Sequence, residues 1–144
     1  MKLVLAFILA VVTTYVVAVL AYTQLNLANV VEMGLPVSLM DRVGAAGHDL
    51  IGMTSLYLPI IAVALLLAFG FTAIVLRWVP QLRTLGYMLA GFVGIFVVDY
   101  ALGALLTGGT HPLAVTRTTV GLLSQCVAGA LGGYVFVLLS SKTE

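Results

Sequence analysis

Residues 85–106 read LGYMLAGFVGIFVVDYALGALL, an apolar run whose single formal charge is Asp99. A hydrocarbon core about 30 Å thick is crossed by about 20 apolar helical residues. The stretch therefore reads as a transmembrane helix that carries a carboxylate into lipid. An ionised carboxylate at that depth costs on the order of several kcal/mol unless it is paired, hydrated or protonated. Both the fold and the first functional candidate come from this one segment.

Three further stretches, 3–22, 50–76 and 113–139, have the same character. The 144 residues are 62% hydrophobic and 8% charged, against about 25% charged in soluble domains. The expected fold class is an all-α membrane protein, a four-transmembrane-helix bundle forming one integral domain over residues 1–144. The first stretch, with Lys2 ahead of it and Val19-Leu20-Ala21 at its end, has the outline of a secretory signal. Its apolar run exceeds the roughly 7–15 residues of a signal core, so it reads as an uncleaved first span. Net charge is +1, which gives no electrostatic footprint for nucleic acid. Cys126, the only cysteine, excludes a disulfide within the chain and reads as an inert, buried thiol.

The connections differ in kind. In residues 77–83, Pro80 stops a helix and Trp78 between two arginines suits the membrane interface. In 107–112, Gly108-Gly109 ends one helix, while Thr110 and Pro112 suit the start of the next. The outer loop 23–49 is too apolar for a solvated linker. Pro36 and Ser38 suit a helix start, Leu35, Leu39, Met40 and Val43 fall near one helical face, and Gly44 and Gly47 are expected to break it. It reads as a short amphipathic helix on the membrane surface or capping the bundle, or as an apolar loop packed on the helix ends. Segment 50–76 would be about 40 Å long at 1.5 Å per residue. Pro59 is its expected kink site, with the Ser55 hydroxyl able to satisfy a freed backbone group.

Lys2, Arg77, Arg83 and Lys142 fall on one side, with Arg42 and Arg117 opposite or within the membrane. The positive-inside rule then puts both termini in the cytoplasm of a multi-pass plasma or inner membrane protein. Helices in lipid associate by close packing, which small residues four apart allow. Gly86, Ala90 and Gly94 form such a stripe in the third span. Gly121, Gln125, Gly129 and Gly133 form another in the fourth, with Ala128 and Gly132 beside it. Their partner is another helix of this chain, a second copy or another membrane subunit.

Asp99 leads the candidates for chemistry, with Arg117 as its expected partner across the hairpin. Tyr100, Thr110, His111, Thr116, Thr118 and Thr119 surround them, and His48 and Asp49 enter from the second segment. Asp49 near a helix start would suit the dipole. His48, Asp49 and His111 could also form a proton relay or a metal site, or the two histidines could ligate haem. Their scattered spacing matches no metal motif, and no cofactor is expected. Gln125 should hydrogen-bond between helices, while Thr13, Thr14 and Tyr15 can return their hydroxyls to their own backbone. No phosphate loop, nucleophile elbow or paired catalytic carboxylates occur. The expected function is binding or transport of a small molecule, lipid or ion through a polar, outward-facing pocket near Asp99 and Arg117. Beside it stands a non-catalytic accessory or scaffold subunit, and behind both a membrane-embedded enzyme acting on a lipid or quinone.

Overall fold

A computed structural model describes residues 2–106, 108 and 114–141. Among these, five α-helices follow in order: α1 Lys2–Glu32, α2 Leu39–Gly52, α3 Tyr57–Val75, α4 Arg83–Leu106 and α5 Thr119–Ser141. Short 3-10 turns at Pro80–Leu82 and Ala114–Arg117 precede α4 and α5. Helices α1, α3, α4 and α5 are long and apolar enough to cross a membrane. The protein is a small polytopic α-helical membrane protein, a bundle of four long helices with α2 between the first two.

Helix α5 sits at the heart of the bundle, packed most extensively against α4 and α1; α3 closes the ring against α4 and α1. The backbones come closest where side chains are missing. A Cβ on Gly91 would strike the Gly129 carbonyl oxygen, and one on Gly129 would strike that of Gly91. Likewise Gly133 lies on the carbonyl of Tyr87, and Gly132 receives the Thr14 hydroxyl. Gly94 faces α3 instead, where an added Cβ would stand 2.9 Å from the Ala68 methyl. Gly86 abuts only the flexible end of Leu76, Ala90 is half-buried and Gly121 is buried. The α4 face that meets α5 thus centres on Gly91, one position on from the stripe read in the sequence. Phe7, Phe69, Tyr87 and Phe136 fill the end of the bundle nearer the termini, with Phe69, Tyr87 and Phe136 in mutual ring contact.

In the second half of the chain α5 begins at Thr119, after the separate 3-10 turn Ala114–Arg117, and not at the expected 113; three further boundaries, all in the first half, also depart from the sequence expectation. Helix α1 runs ten residues past Tyr22, because Gln24, Asn26 and Asn29 are compatible with a helix end projecting from the bilayer. At 31 residues it is about 46 Å long at 1.5 Å per residue, well beyond the apolar core. Gly34 ends it: its φ of 84° is a left-handed conformation that glycine adopts without strain, and Pro36 follows. Helix α2 then passes through Gly44 and Gly47 without breaking. Its stability comes from its start, where the Ser38 hydroxyl accepts from Asp41 N and the Asp41 carboxylate accepts from Ser38 N, a reciprocal cap. It is held to the α1 extension by Arg42 Nη1 donating to Gln24 Oε1 at 3.0 Å.

The third departure is at Pro59. Helix 50–76 is not one kinked rod: α2 ends at Gly52, residues 53–56 turn, and α3 begins at Tyr57. A continuous helix would orphan the Ser55 carbonyl and press the proline ring against it. With the break one turn earlier, Pro59 occupies the first turn of α3, where no amide donor is required. Thr54, not Ser55, supplies the compensating hydroxyl, donating to the Leu50 carbonyl at 2.6 Å.

Gly129→Leu should lower the unfolding free energy in detergent by about 1–3 kcal/mol, the usual cost of overpacking, and with it the midpoint, or prevent folding. Gly70→Ala, which meets open space, should leave the midpoint unchanged or slightly raised; equal effects at the two sites would refute the packing account. A second expectation concerns pH. The Ser38 side chain and backbone hydrogen bonds hold the Asp41 carboxyl below its ordinary 3.8. A depressed folded value means that the cap contributes fully above 3.8 and is lost as pH falls through the folded value. Amide exchange at the start of α2 should therefore quicken in acid, and Asp41→Asn should remove that dependence.

Candidate functional site

The end of the bundle away from the termini is polar inside. Tyr57, the first residue of α3, is buried and donates its hydroxyl to Gln125 Oε1 at 2.8 Å. Gln125, only 1% exposed, donates from Nε2 to the Ala18 carbonyl at 3.0 Å. One amide thus joins α3, α5 and α1 through both its ends. This is the interhelical role expected of it, and in hydrocarbon such bonds are worth about 0.6 kcal/mol on average and up to about 1.7.

A second set of bonds ties α1 to the α2–α3 junction. Tyr15 reaches across to donate to the Leu50 carbonyl at 2.6 Å and lies 3.1 Å from Thr54 Oγ1. It does not turn back on its own helix as Thr13 does, which donates to Leu9. Thr14 does neither: its buried hydroxyl rests against Gly132 without a hydrogen bond. The rings of Tyr15 and Tyr57 stand 6.3 Å apart. Further out, the Thr23 hydroxyl donates to Asp49 Oδ2 at 2.6 Å. Asp49 is in the last turn of α2, not at the start of a span, so the expected N-terminal capping role falls away. A carboxylate there opposes the helix dipole, and Thr23 supplies the donor that holds it.

Between α3, α4 and α5 lies a cavity of about 280 Å³. Its inner wall carries Tyr57, Asp99, Thr116 and Gln125, all buried. Asp99, 6% exposed, is placed by α4; Thr116 is placed by the 3-10 turn before α5. The remaining lining is aliphatic, including Met53, Ile60, Ile61, Ile95, Val98 and Leu102. Leu56, at 72% exposed, marks the outer rim. Ligand pockets typically measure about 300–1,000 Å³ and pair apolar walls with a few convergent polar groups. This cavity has that composition, at a volume just below that range.

The other sequence candidates are distributed around this chamber. Arg117 adjoins Thr116 but its side chain is exposed. Tyr100, next to Asp99, points outward at 67% exposed. His48 is exposed on α2, away from the cavity lining. His111 and Thr110 lie outside the described residues. Among the described residues no three of His, Cys, Asp and Glu come together to hold a metal. Cys126 is buried. Tyr57 and the aliphatic rim were missed in the sequence: Tyr57 falls inside the uninterrupted apolar stretch 50–76, and only the break at residues 53–56 makes it the first residue of α3. No family model, curated protein or solved structure matches this chain.

Tyr57→Phe should destabilise the folded state by about 0.5–1.7 kcal/mol, the range for bonds between membrane helices. Added to Gln125→Leu, the same change should cost much less, because the partner is already gone. Strict additivity in detergent unfolding would show that the two side chains are uncoupled.

Proposed function

We propose that this protein binds a small molecule in the chamber walled by Tyr57, Asp99, Thr116 and Gln125. The observation that carries this reading is the juxtaposition of a buried carboxylate with an aliphatic cavity large enough for a ligand. A carboxylate kept inside a membrane bundle is by default a functional candidate. A structural charge would be expected to lie in packed surroundings, not beside open space. The distribution of basic residues supports cytoplasmic termini in a plasma or inner membrane, which turns the chamber outward. Passage of the ligand across the membrane would need a path along the α3–α4 seam; binding at the outer end needs only the chamber. In this reading Asp99 recognises the ligand, Tyr57, Thr116 and Gln125 form the wall, and the exposed Arg117 stands at the outer edge.

Native mass spectrometry of protein released gently from detergent tests this. The wild type should retain a non-protein mass at fixed stoichiometry. Ile60→Trp, which fills the chamber from its rim, should lose it while unfolding at a similar temperature. A bare wild-type protein, or an adduct indifferent to Ile60→Trp, would direct attention instead to a role as accessory subunit.

A further inference from the structure

The polar side chains of the chamber are already engaged. Tyr57 donates its hydroxyl proton to Gln125, and Gln125 uses its other end on the Ala18 carbonyl. Asp99 and Thr116 also have partners within the protein. Buried polar groups are normally satisfied in this way, and the consequence here is chemical. What the chamber offers an entering molecule is chiefly hydrocarbon, from Met53, Ile60, Ile61, Ile95, Val98 and Leu102. Its volume limits what fits. A cavity of about 150 Å³ lined by Leu, Ile and Phe holds a benzene ring. At about 280 Å³, the chamber holds on the order of ten non-hydrogen atoms by the same proportion. That is too little for a two-chain lipid and suits a small ring.

Electrostatics select against ions of either sign. Among the described residues, Asp99 is the one formal charge in the lining. Because Asp99 is engaged within the protein, an ammonium head entering the chamber brings a charge with no counter-charge reserved for it. A carboxylate or phosphate head is worse placed, since it meets a like charge in a low-dielectric site. Burying a charge is costly unless it is paired and hydrogen-bonded. A neutral hydroxyl escapes both costs. A carboxylate has about four acceptor positions, so Asp99 can accept one more hydrogen bond while keeping the partner it has.

We propose that the ligand is a small uncharged molecule with an apolar ring and a single hydroxyl, an aromatic or alicyclic alcohol in chemical class. Its ring lies among the aliphatic side chains and its hydroxyl donates to Asp99. The inference rests on the binding role proposed above and specifies its ligand. Such a molecule partitions into hydrocarbon, so the membrane itself is its reservoir.

The test uses the full-length protein in phosphatidylcholine nanodiscs, read by fluorine NMR, with empty nanodiscs accounting for partition into lipid. The probes are para-fluorobenzyl alcohol, para-fluorotoluene, para-fluorobenzylammonium and para-fluorobenzoate. The alcohol should bind saturably, one per chain. Fluorotoluene should bind about tenfold more weakly, the loss expected for one hydrogen bond to a carboxylate. The two ions should be weaker than the alcohol by at least about tenfold, because each buries an unpaired charge. Ile60→Trp from α3 and Leu102→Trp from α4 each fill the chamber, and either one that keeps the wild-type unfolding midpoint should abolish saturable binding of the alcohol. Binding of the ammonium as tight as that of the alcohol would overturn the neutral assignment and leave the chamber intact as a site. Fluorotoluene binding as tightly as the alcohol would overturn the hydrogen bond to Asp99. Alcohol binding indifferent to both tryptophan variants would overturn the chamber as its seat. No saturable binding of any probe, in a protein that retains a mass in native mass spectrometry, would overturn this ligand class alone; with a bare native protein, the binding role falls with it.

Discussion

The contact between the backbones of Gly91 and Gly129 sets the geometry of this bundle. Lipid gives helices no hydrophobic reason to associate, so the α4–α5 pair must be held by dispersion at short range and by a few polar bonds. With no side chain at either glycine, each helix rests on the other's carbonyl. Gly133 on Tyr87 and Gly132 beneath Thr14 extend the same principle along α5 and across to α1. Because α5 is drawn tightly against two neighbours, α3 is left with the looser seam to α4. The chamber lies where that seam meets α5.

Polarity is divided along the bundle in the same economical way. Toward the termini the core is aromatic, with Phe69, Tyr87 and Phe136 in mutual contact, and Arg83 Nη2 donates to Ser140 at that rim. Toward the opposite end the core gives way to hydroxyls, an amide and a carboxylate. Among the described residues, Tyr15 ties α1 to α2 and to the turn 53–56, while Tyr57 and Gln125 tie α3, α5 and α1. The amide and tyrosines thus lock the helices that surround Asp99 and keep the chamber from collapsing onto it. The projecting end of α1, braced by Arg42 and Asp49 of α2, fixes the α2–α3 junction that forms the rim.

Much of this was legible in the residues. Four apolar runs could only be spans, and Asp99 and Gln125 stood out because lipid makes buried polarity expensive. What escaped the sequence has physical causes. Hydropathy does not register the break at residues 53–56, since Met53 and Leu56 are as apolar as the helices they separate. The polar residues of 24–32 look like loop, although all of them fit a helix that has left the membrane. Gly91 escaped because a spacing of four from Gly86 selects one face, while the packed face is set by where α5 lies. Gly44 and Gly47 suggested an end to α2 that the Ser38–Asp41 cap and the contacts with α1 override. A cavity is harder still to read, because it is defined by side chains that fail to fill a space.

The central claim, that the chamber beside Asp99 is a binding site, is tested most directly by an experimental density map of the protein taken from its own membrane without added ligand. The account predicts ordered non-protein density inside the chamber, against Asp99 and Tyr57. A seam closed by side chains, with Ile60 and Leu102 packed over the carboxylate and no enclosed density, would contradict it.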